Sequence, residues 1–170
     1  MHTLPLQTAH LTLVLQTTEE VLAGIAAMPA ADQAQVSPAW LARLKASAPH
    51  PWTHGFALRE QTSGTLVGRC GFKTPPAEDG SIEIAYGIDP KHQGKGYATE
   101  AATALTAYAF DSGAVRVVFA HTLPVAPASQ RVLAKCGFQF VGEVIDPEDG
   151  LVWRWEKRQF KTAAASPSPS

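Results

Sequence analysis

Residues 82–101, Ile-Glu-Ile-Ala-Tyr-Gly-Ile-Asp-Pro-Lys-His-Gln-Gly-Lys-Gly-Tyr-Ala-Thr-Glu-Ala, leave this chain little freedom in how it folds. Ile82, Ile84, Tyr86 and Ile88 alternate with Glu83, Ala85 and Gly87, the period-2 pattern of a strand. Asp89-Pro90 ends that strand, because proline has no N–H to give a sheet ladder. From Tyr97 to Phe110 an alanine-rich run predicts a helix of about four turns. Between strand and helix, Gln93-Gly-Lys-Gly-Tyr-Ala98 places two glycines where the backbone must bend sharply. Such a turn aims free backbone N–H groups and the positive end of the helix dipole at one spot. That spot favours an anion, and phosphate is the usual one.

Two common phosphate-binding motifs do not fit. No window reads Gly-x-x-x-x-Gly-Lys-Ser/Thr. The dinucleotide fingerprint needs a third glycine or alanine where Thr99 stands, and an acidic residue ending the next strand, where His121 stands.

The chain instead resembles the GNAT superfamily of acyl-coenzyme A N-acyltransferases. Gln93-x-x-Gly96-x-Ala98 matches that superfamily's pyrophosphate motif. Tyr86-Gly-Ile-Asp-Pro90, Gly96-Tyr-Ala-Thr-Glu-Ala101, and Arg131-Val-Leu-Ala-Lys-Cys-Gly-Phe138 followed by Val141-Gly142 fit the branch that includes the ribosomal-protein N-terminal acetyltransferases. Three ordered motifs from about Gly55 to Glu156 are far more specific than one glycine turn. The resemblance implies acetyl-coenzyme A as cosubstrate. Its coenzyme site would comprise Ile88, Gln93, Gly94, Lys95, Gly96, Tyr97, Ala98 and Ser129.

Composition narrows the class further. The 170 residues suit one domain over 1–161, with 162–170, Thr-Ala-Ala-Ala-Ser-Pro-Ser-Pro-Ser, expected as a flexible tail. Fourteen Lys plus Arg against fifteen Asp plus Glu give a formal charge of −1, so no nucleic-acid partner is expected. Two cysteines, Cys70 and Cys136, are too few for a disulfide framework or a metal cluster. They read as buried free thiols, and no metal is expected. No apolar run reaches the ~20 residues of a membrane span, which predicts a cytoplasmic protein, monomer or homodimer.

Leu11–Leu15 reads as a first strand, with Thr17 or Thr18 capping a helix that stops before Pro29. Ser37-Pro38 opens a second helix. Strand-like runs at 55–59, 66–72 and 82–88 form a meander, followed by the glycine-turn helix, a strand at 116–121, a helix over 128–135 and two last strands. The order predicts an α/β fold of the α+β type, with a mixed, mostly antiparallel sheet of about seven strands and helices on both faces. The resemblance implies a splay between its two central parallel strands, those ending at Ile88 and His121. A pantetheine arm would pair with the backbone exposed there.

Transfer from a thioester to an amine needs a proton acceptor, donors for the oxyanion, and stabilisation of the departing thiolate. Glu83, just before the implied thioester position, is the first candidate base. His121 is its rival, histidine being the side chain suited by type to accept a proton near neutral pH, and His54, His92 and Glu100 are weaker. The resemblance assigns the oxyanion donor to the Ile88 N–H and a role near the coenzyme sulfur to Ser129. The chain departs from the family pattern at two places. Leu133 stands where many relatives carry a tyrosine for the thiolate, and Ala126-Pro127 where an asparagine bonds the pantetheine. Trp40, Trp52 and Phe56, with the Gly71–Pro76 loop, are candidates to wall the amine pocket, with core packing the plainer role for each tryptophan, and Arg154 is a candidate to meet an acidic acceptor group, with a solvated or ion-paired arginine the plainer reading. The acceptor is a protein or peptide N-terminus or a small amine. The competing reading is a coenzyme A-binding sensor or interaction module without turnover, which the Leu133 and Ala126-Pro127 departures favour.

Overall fold

The computed structural model describes residues 4–147 and 149–159. The expected 162–170 tail and the 161 domain boundary lie outside the described residues. Eight strands form one sheet, against the seven expected. They are β1 (Leu6–Gln7), β2 (Leu11–Leu15), β3 (Phe56–Glu60), β4 (Leu66–Phe72), β5 (Ser81–Ile88), β6 (Val117–Thr122), β7 (Gln139–Asp146) and β8 (Gly150–Arg158). The spatial order is β1-β2-β3-β4-β5-β6-β8-β7, antiparallel throughout except for β5 and β6. The added strand, β1, has only two residues, too few to carry an alternation.

Among the described residues six α-helices accompany the sheet: α1 (Thr18–Ala26), α2 (Ala30–Gln33), α3 (Pro38–Ala46), α4 (Pro51–His54), α5 (Tyr97–Asp111) and α6 (Pro127–Lys135). Thr17 caps α1 by accepting from the Glu20 N–H at 3.1 Å, and Ser37 caps α3 by accepting from the Trp40 N–H at 3.3 Å. Both caps satisfy a donor that the helix cannot satisfy itself. The four-residue helices α2 and α4 are too short to display a helical period, and sequence reading passes over them.

The core lies between α5 and the sheet. Ile82 and Ile84 of β5 meet Ala101, Ala102, Leu105 and Ala109 of α5, all at most 2% exposed. Alanines on that helix face let the helix axis approach the strands closely, and each buried Ile or Leu contributes roughly 1.5–3 kcal/mol. On the opposite face Gly24 of α1 lies beside the Arg69 guanidinium. The helices therefore cover both faces.

The feature that positions the site is the separation of β5 from β6. They pair at Ser81↔Val117, Ile82↔Val118 and Glu83↔Phe119, and no further. Beyond that point β5 stays on β4 up to Ile88, and β6 stays on β8 up to Thr122. The sheet splits along one seam while each half keeps its other edge paired. The direction of the backbone groups follows from the ladder. The Lys73 N–H donates to the Glu83 carbonyl at 3.0 Å, and the Asp89 N–H to the Val67 carbonyl at 2.8 Å. Odd-numbered residues of β5 therefore turn their backbone groups to β4, and even-numbered ones, Tyr86 and Ile88 included, turn theirs to the seam.

Candidate functional site

The glycine turn closes the seam at one end. Gly94 and Gly96 have φ of 81° and 84°, and nothing lies within 4 Å of a Cβ built on either. Backbone conformation, not crowding, demands glycine there. Gly96 is the N-cap of α5 and makes no side-chain cap bond. The N–H groups of Tyr97, Ala98 and Thr99 are thus left for an anion, aided by the helix dipole. Gln93 reaches back, its Nε2 donating to the Ile88 carbonyl at 2.9 Å, which ties the turn to the strand end.

A cleft of about 470 Å³ runs from the end of β5 through this turn to α6. Ile88, Gln93, Gly94, Gly96, Tyr97, Ala98 and Ser129 line it. Lys95 does not: it is half exposed and lies 3.9 Å from the Glu60 carboxylate. The Tyr97 ring is also committed elsewhere, its hydroxyl donating to Glu60 at 2.6 Å, so its backbone is what it offers the cleft. Tyr86, part of the strand-end motif read from the sequence, lines it too, together with Gly87, His92, Thr99, Ala128, Val132 and two cations that sequence reading did not assign to the site, Arg131 and Lys135. The two cations lie one helical turn apart on α6, a spacing that was legible beforehand. They supply the charge that Lys95 does not bring. Gly94 and Gly96 with the free N–H row and these cations fit a diphosphate-bearing coenzyme.

Gly96→Val follows as a test. A β-branched residue at φ 84° costs more than the ~1–2 kcal/mol of the left-handed region, and the turn must refold to avoid it. Coenzyme A affinity by calorimetry is expected to fall at least about tenfold. Unchanged affinity would remove the turn from the site.

On the other face of the sheet the seam opens beside a charged cluster. Glu83 points opposite to Ile82 and Ile84, and pairs with Phe119 across the seam, so His121 on β6 shares its face. The Glu83 Oε2 lies 3.2 Å from the Lys73 Nζ and 3.3 Å from the His121 Nδ1, and His121 Nδ1 lies 3.6 Å from the Asp146 Oδ2. Glu83, His121 and Asp146 side chains are only 13–14% exposed. The approaches to His121 are at ion-pair distance without hydrogen-bond alignment. Both ring nitrogens are buried with no hydrogen-bond partner among the described residues. Burial alone would lower the Lys73 pKa, but the charge and hydrogen bond of Glu83, with Asp146 and Asp149, outweigh it and raise it. Lys73 thus stays an ammonium. Glu83 and His121, offered by the sequence as rivals, stand side by side, while Lys73 and Asp146 arrive from elements too distant in sequence for any spacing to announce them.

The face that carries the cleft holds a second polar pair. Tyr86 is turned to that face, where it and Ser129, the third residue of α6, line the same cleft. Leu133, at the position of the expected tyrosine, is fully buried in the core. Ala126 caps α6 without a side-chain bond, and Gln130 secures that loop by donating to the Leu123 and Pro124 carbonyls. Cys70 and Cys136 are buried, and burial raises both thiols, so neither presents a thiolate for covalent transfer.

The remaining residues weighed in the sequence take up other places. Phe56 is fully buried in the core, and Trp52 packs edge-on against Phe72 and Tyr108 at 4.8 and 5.4 Å, on the face opposite Glu83. Neither walls a pocket at Glu83; of the Gly71–Pro76 loop it is Lys73 that reaches it. Arg154 stacks on Phe119 at 3.7 Å and bonds Glu156 at 2.8 Å, so its charge is met within the chain. Glu100 binds Thr8 and His10 at 2.6–2.9 Å, holding the start of the chain on α5. His54 is buried against Thr18 and Thr53, burial and then His50 lowering its pKa. His92 lines the coenzyme cleft, away from the Glu83 cluster.

A family model described as an acetyltransferase (GNAT) domain matches residues 4–139. The chain is 32% identical over 93 residues to the uncharacterized N-acetyltransferase p20 of Bacillus licheniformis, a match over 55% of this chain and 52% of that protein. The chain therefore aligns with about half the length of that relative. A GNAT-family acetyltransferase from Bacillus anthracis superposes with a TM-score of 0.67 at 20% identity, covering 89% of this chain and 96% of the other. The ribosomal-protein-S5-alanine acetyltransferase of Vibrio fischeri does so with a TM-score of 0.67 at 17% identity, over 90% and 95%. At these identities the two superpositions speak for the fold.

Proposed function

The chain belongs to the GNAT family of acetyltransferases, and we propose that it moves an acetyl group from acetyl-coenzyme A to a primary amine by direct attack in a ternary complex. One observation carries the reading: the cleft at the glycine turn and the Glu83–His121 cluster lie on opposite faces of a sheet that is open between them. An acyl group delivered along one face meets an amine arriving on the other.

The roles follow from position. The N–H row of Tyr97, Ala98 and Thr99, with Arg131 and Lys135, holds the diphosphate. Seam-facing groups of Tyr86 and Ile88 pair with the pantetheine arm, and the Ile88 N–H donates to the oxyanion. Glu83 takes the proton of the attacking amine, which at neutral pH carries it on nitrogen. His121, 3.3 Å away, is placed to receive it next. The nitrogen bonds the acyl carbon, and the carbon–sulfur bond breaks. Acidic residues at the amine's entrance favour a cationic acceptor, which includes both a protein or peptide N-terminus and a small amine; the Vibrio fischeri relative is described as acting on a ribosomal protein's alanine. Leu133 in the core favours the second reading, a coenzyme-binding sensor without turnover.

A thiol-release assay with acetyl-coenzyme A separates the two, run against N-terminal dipeptides, free amino acids, polyamines and aminoglycosides. Release with one acceptor class is expected. Tight coenzyme binding with no release on any amine would overturn the transferase reading in favour of the sensor.

A further inference from the structure

We propose that the Tyr86 hydroxyl, which lines the cleft with Ser129, stabilises the departing coenzyme thiolate by hydrogen bonding, in place of any residue at Leu133. The assignment rests on the acyl-transfer reading above and deepens it.

Three observations lead to Tyr86. Its backbone faces the seam, two residues before Ile88, so its side chain leaves the strand beside the implied thioester. That side chain projects to the coenzyme face, where Tyr86 and Ser129 line the same cleft from β5 and α6. The other hydroxyl of suitable length, Tyr97, is spent on Glu60 at 2.6 Å. Leu133 is fully buried and brings no polar atom to the cleft.

The chemistry decides between donating a proton and donating a hydrogen bond. Burial pushes the Tyr86 phenol up to about 12, a nearby Cys136 pushes the same way, and the neighbouring Ser129 only partly offsets them. An alkyl thiol titrates near ~8.5. Full transfer from the phenol to the thiolate is therefore uphill by several pKa units. Tyr86 keeps its proton and directs its O–H dipole at the sulfur as charge develops there. As the nitrogen–carbon bond forms and the carbon–sulfur bond breaks, the electron pair leaves on sulfur. The acceptor nitrogen gives up two protons, one as the ammonium becomes a free amine and one from the tetrahedral intermediate. The Glu83–His121 cluster takes each in turn and passes it to solvent, and the released thiolate equilibrates with solvent. Atoms and charge balance without a further reactant.

The test compares wild type, Tyr86→Phe and a protein carrying 3-fluorotyrosine at position 86, using the best acceptor from the thiol-release panel. Phenylalanine preserves ring packing, so thermal melts should coincide and coenzyme A affinity by calorimetry should stay within about threefold. Turnover is expected to fall by about 10²–10³-fold, the range for losing one preorganised donor. The fluorinated residue keeps a donor and is expected to restore turnover to near wild type. Tyr86→Phe turning over within threefold of wild type overturns the assignment alone. So does a matching loss of coenzyme affinity, or failure of the fluorinated variant to restore turnover. A wild type that binds acetyl-coenzyme A but acylates nothing overturns the transferase reading and this assignment together.

Discussion

Glu83→Gln is expected to lower kcat/KM by about 10²–10⁴-fold at neutral pH, the range that a positioned proton acceptor supplies, with coenzyme A affinity unchanged. Glutamine keeps the shape of the side chain and its reach to Lys73 and His121, but it cannot accept a proton. The fold should tolerate the exchange. Lys73 loses its nearest charge at 3.2 Å yet keeps its interactions with Asp146 and Asp149, and its side chain is 40% exposed. The coenzyme cleft is on the other face and loses no lining residue. Steady-state kinetics alongside calorimetry with coenzyme A would separate the two effects. Full activity in Glu83→Gln would move the role to His121, and His121→Asn would then carry the loss. A fall in both variants would mean that the carboxylate and imidazole, 3.3 Å apart, act as one relay.

Gly68→Ala should damage stability and binding together. Gly68 pairs with Ile88, and a Cβ built on it would lie 2.2 Å from the Gly87 carbonyl oxygen and 3.1 Å from the Ile88 Cα. Both obstacles are backbone, so no side chain can swing aside. β4 and β5 must separate where β5 has already left β6, and the strand end would lose its remaining support. The expected cost is about 3 kcal/mol or more, at the upper end for an overpacked site. For a chain of this size that is roughly a 6–12 °C fall in melting temperature. Coenzyme affinity should drop at least about tenfold, because the seam-facing groups of Tyr86 and Ile88 depend on that strand end. Gly87→Ala is the control for stability, since nothing lies within 4 Å of its Cβ. A Gly68→Ala protein melting within about 1 °C of wild type would show that the strands yield more cheaply than this geometry allows.

Much of this architecture was legible in the chain because its causes are local. Alternation from Ile82 to Ile88 marked β5, since a strand must present apolar side chains to one face. Ser37-Pro38 announced α3, because a capping hydroxyl and a proline at the first helical position both satisfy the helix's own ends. Gly94 and Gly96 announced the turn, because their φ values of 81° and 84° are open to glycine at little cost. The coenzyme turn could be read for the same reason: six consecutive residues build most of it.

What the sequence determined by itself was the longer elements, their order and the glycine turn, each governed by neighbours a few residues away. Tertiary structure decided who meets whom across the sheet. It sent Trp52 and Phe56 to the core face, the plainer of the two readings that an aromatic cluster near a proline-rich loop allows. It gathered Lys73, Glu83, His121 and Asp146 from four segments on one face, and brought Tyr86 to Ser129 across 43 residues on the other. Side-chain partners of that kind are fixed by strand register and by the parting of β5 from β6 after three pairs, and register is set by the packing of the whole sheet, not by any local stretch of chain.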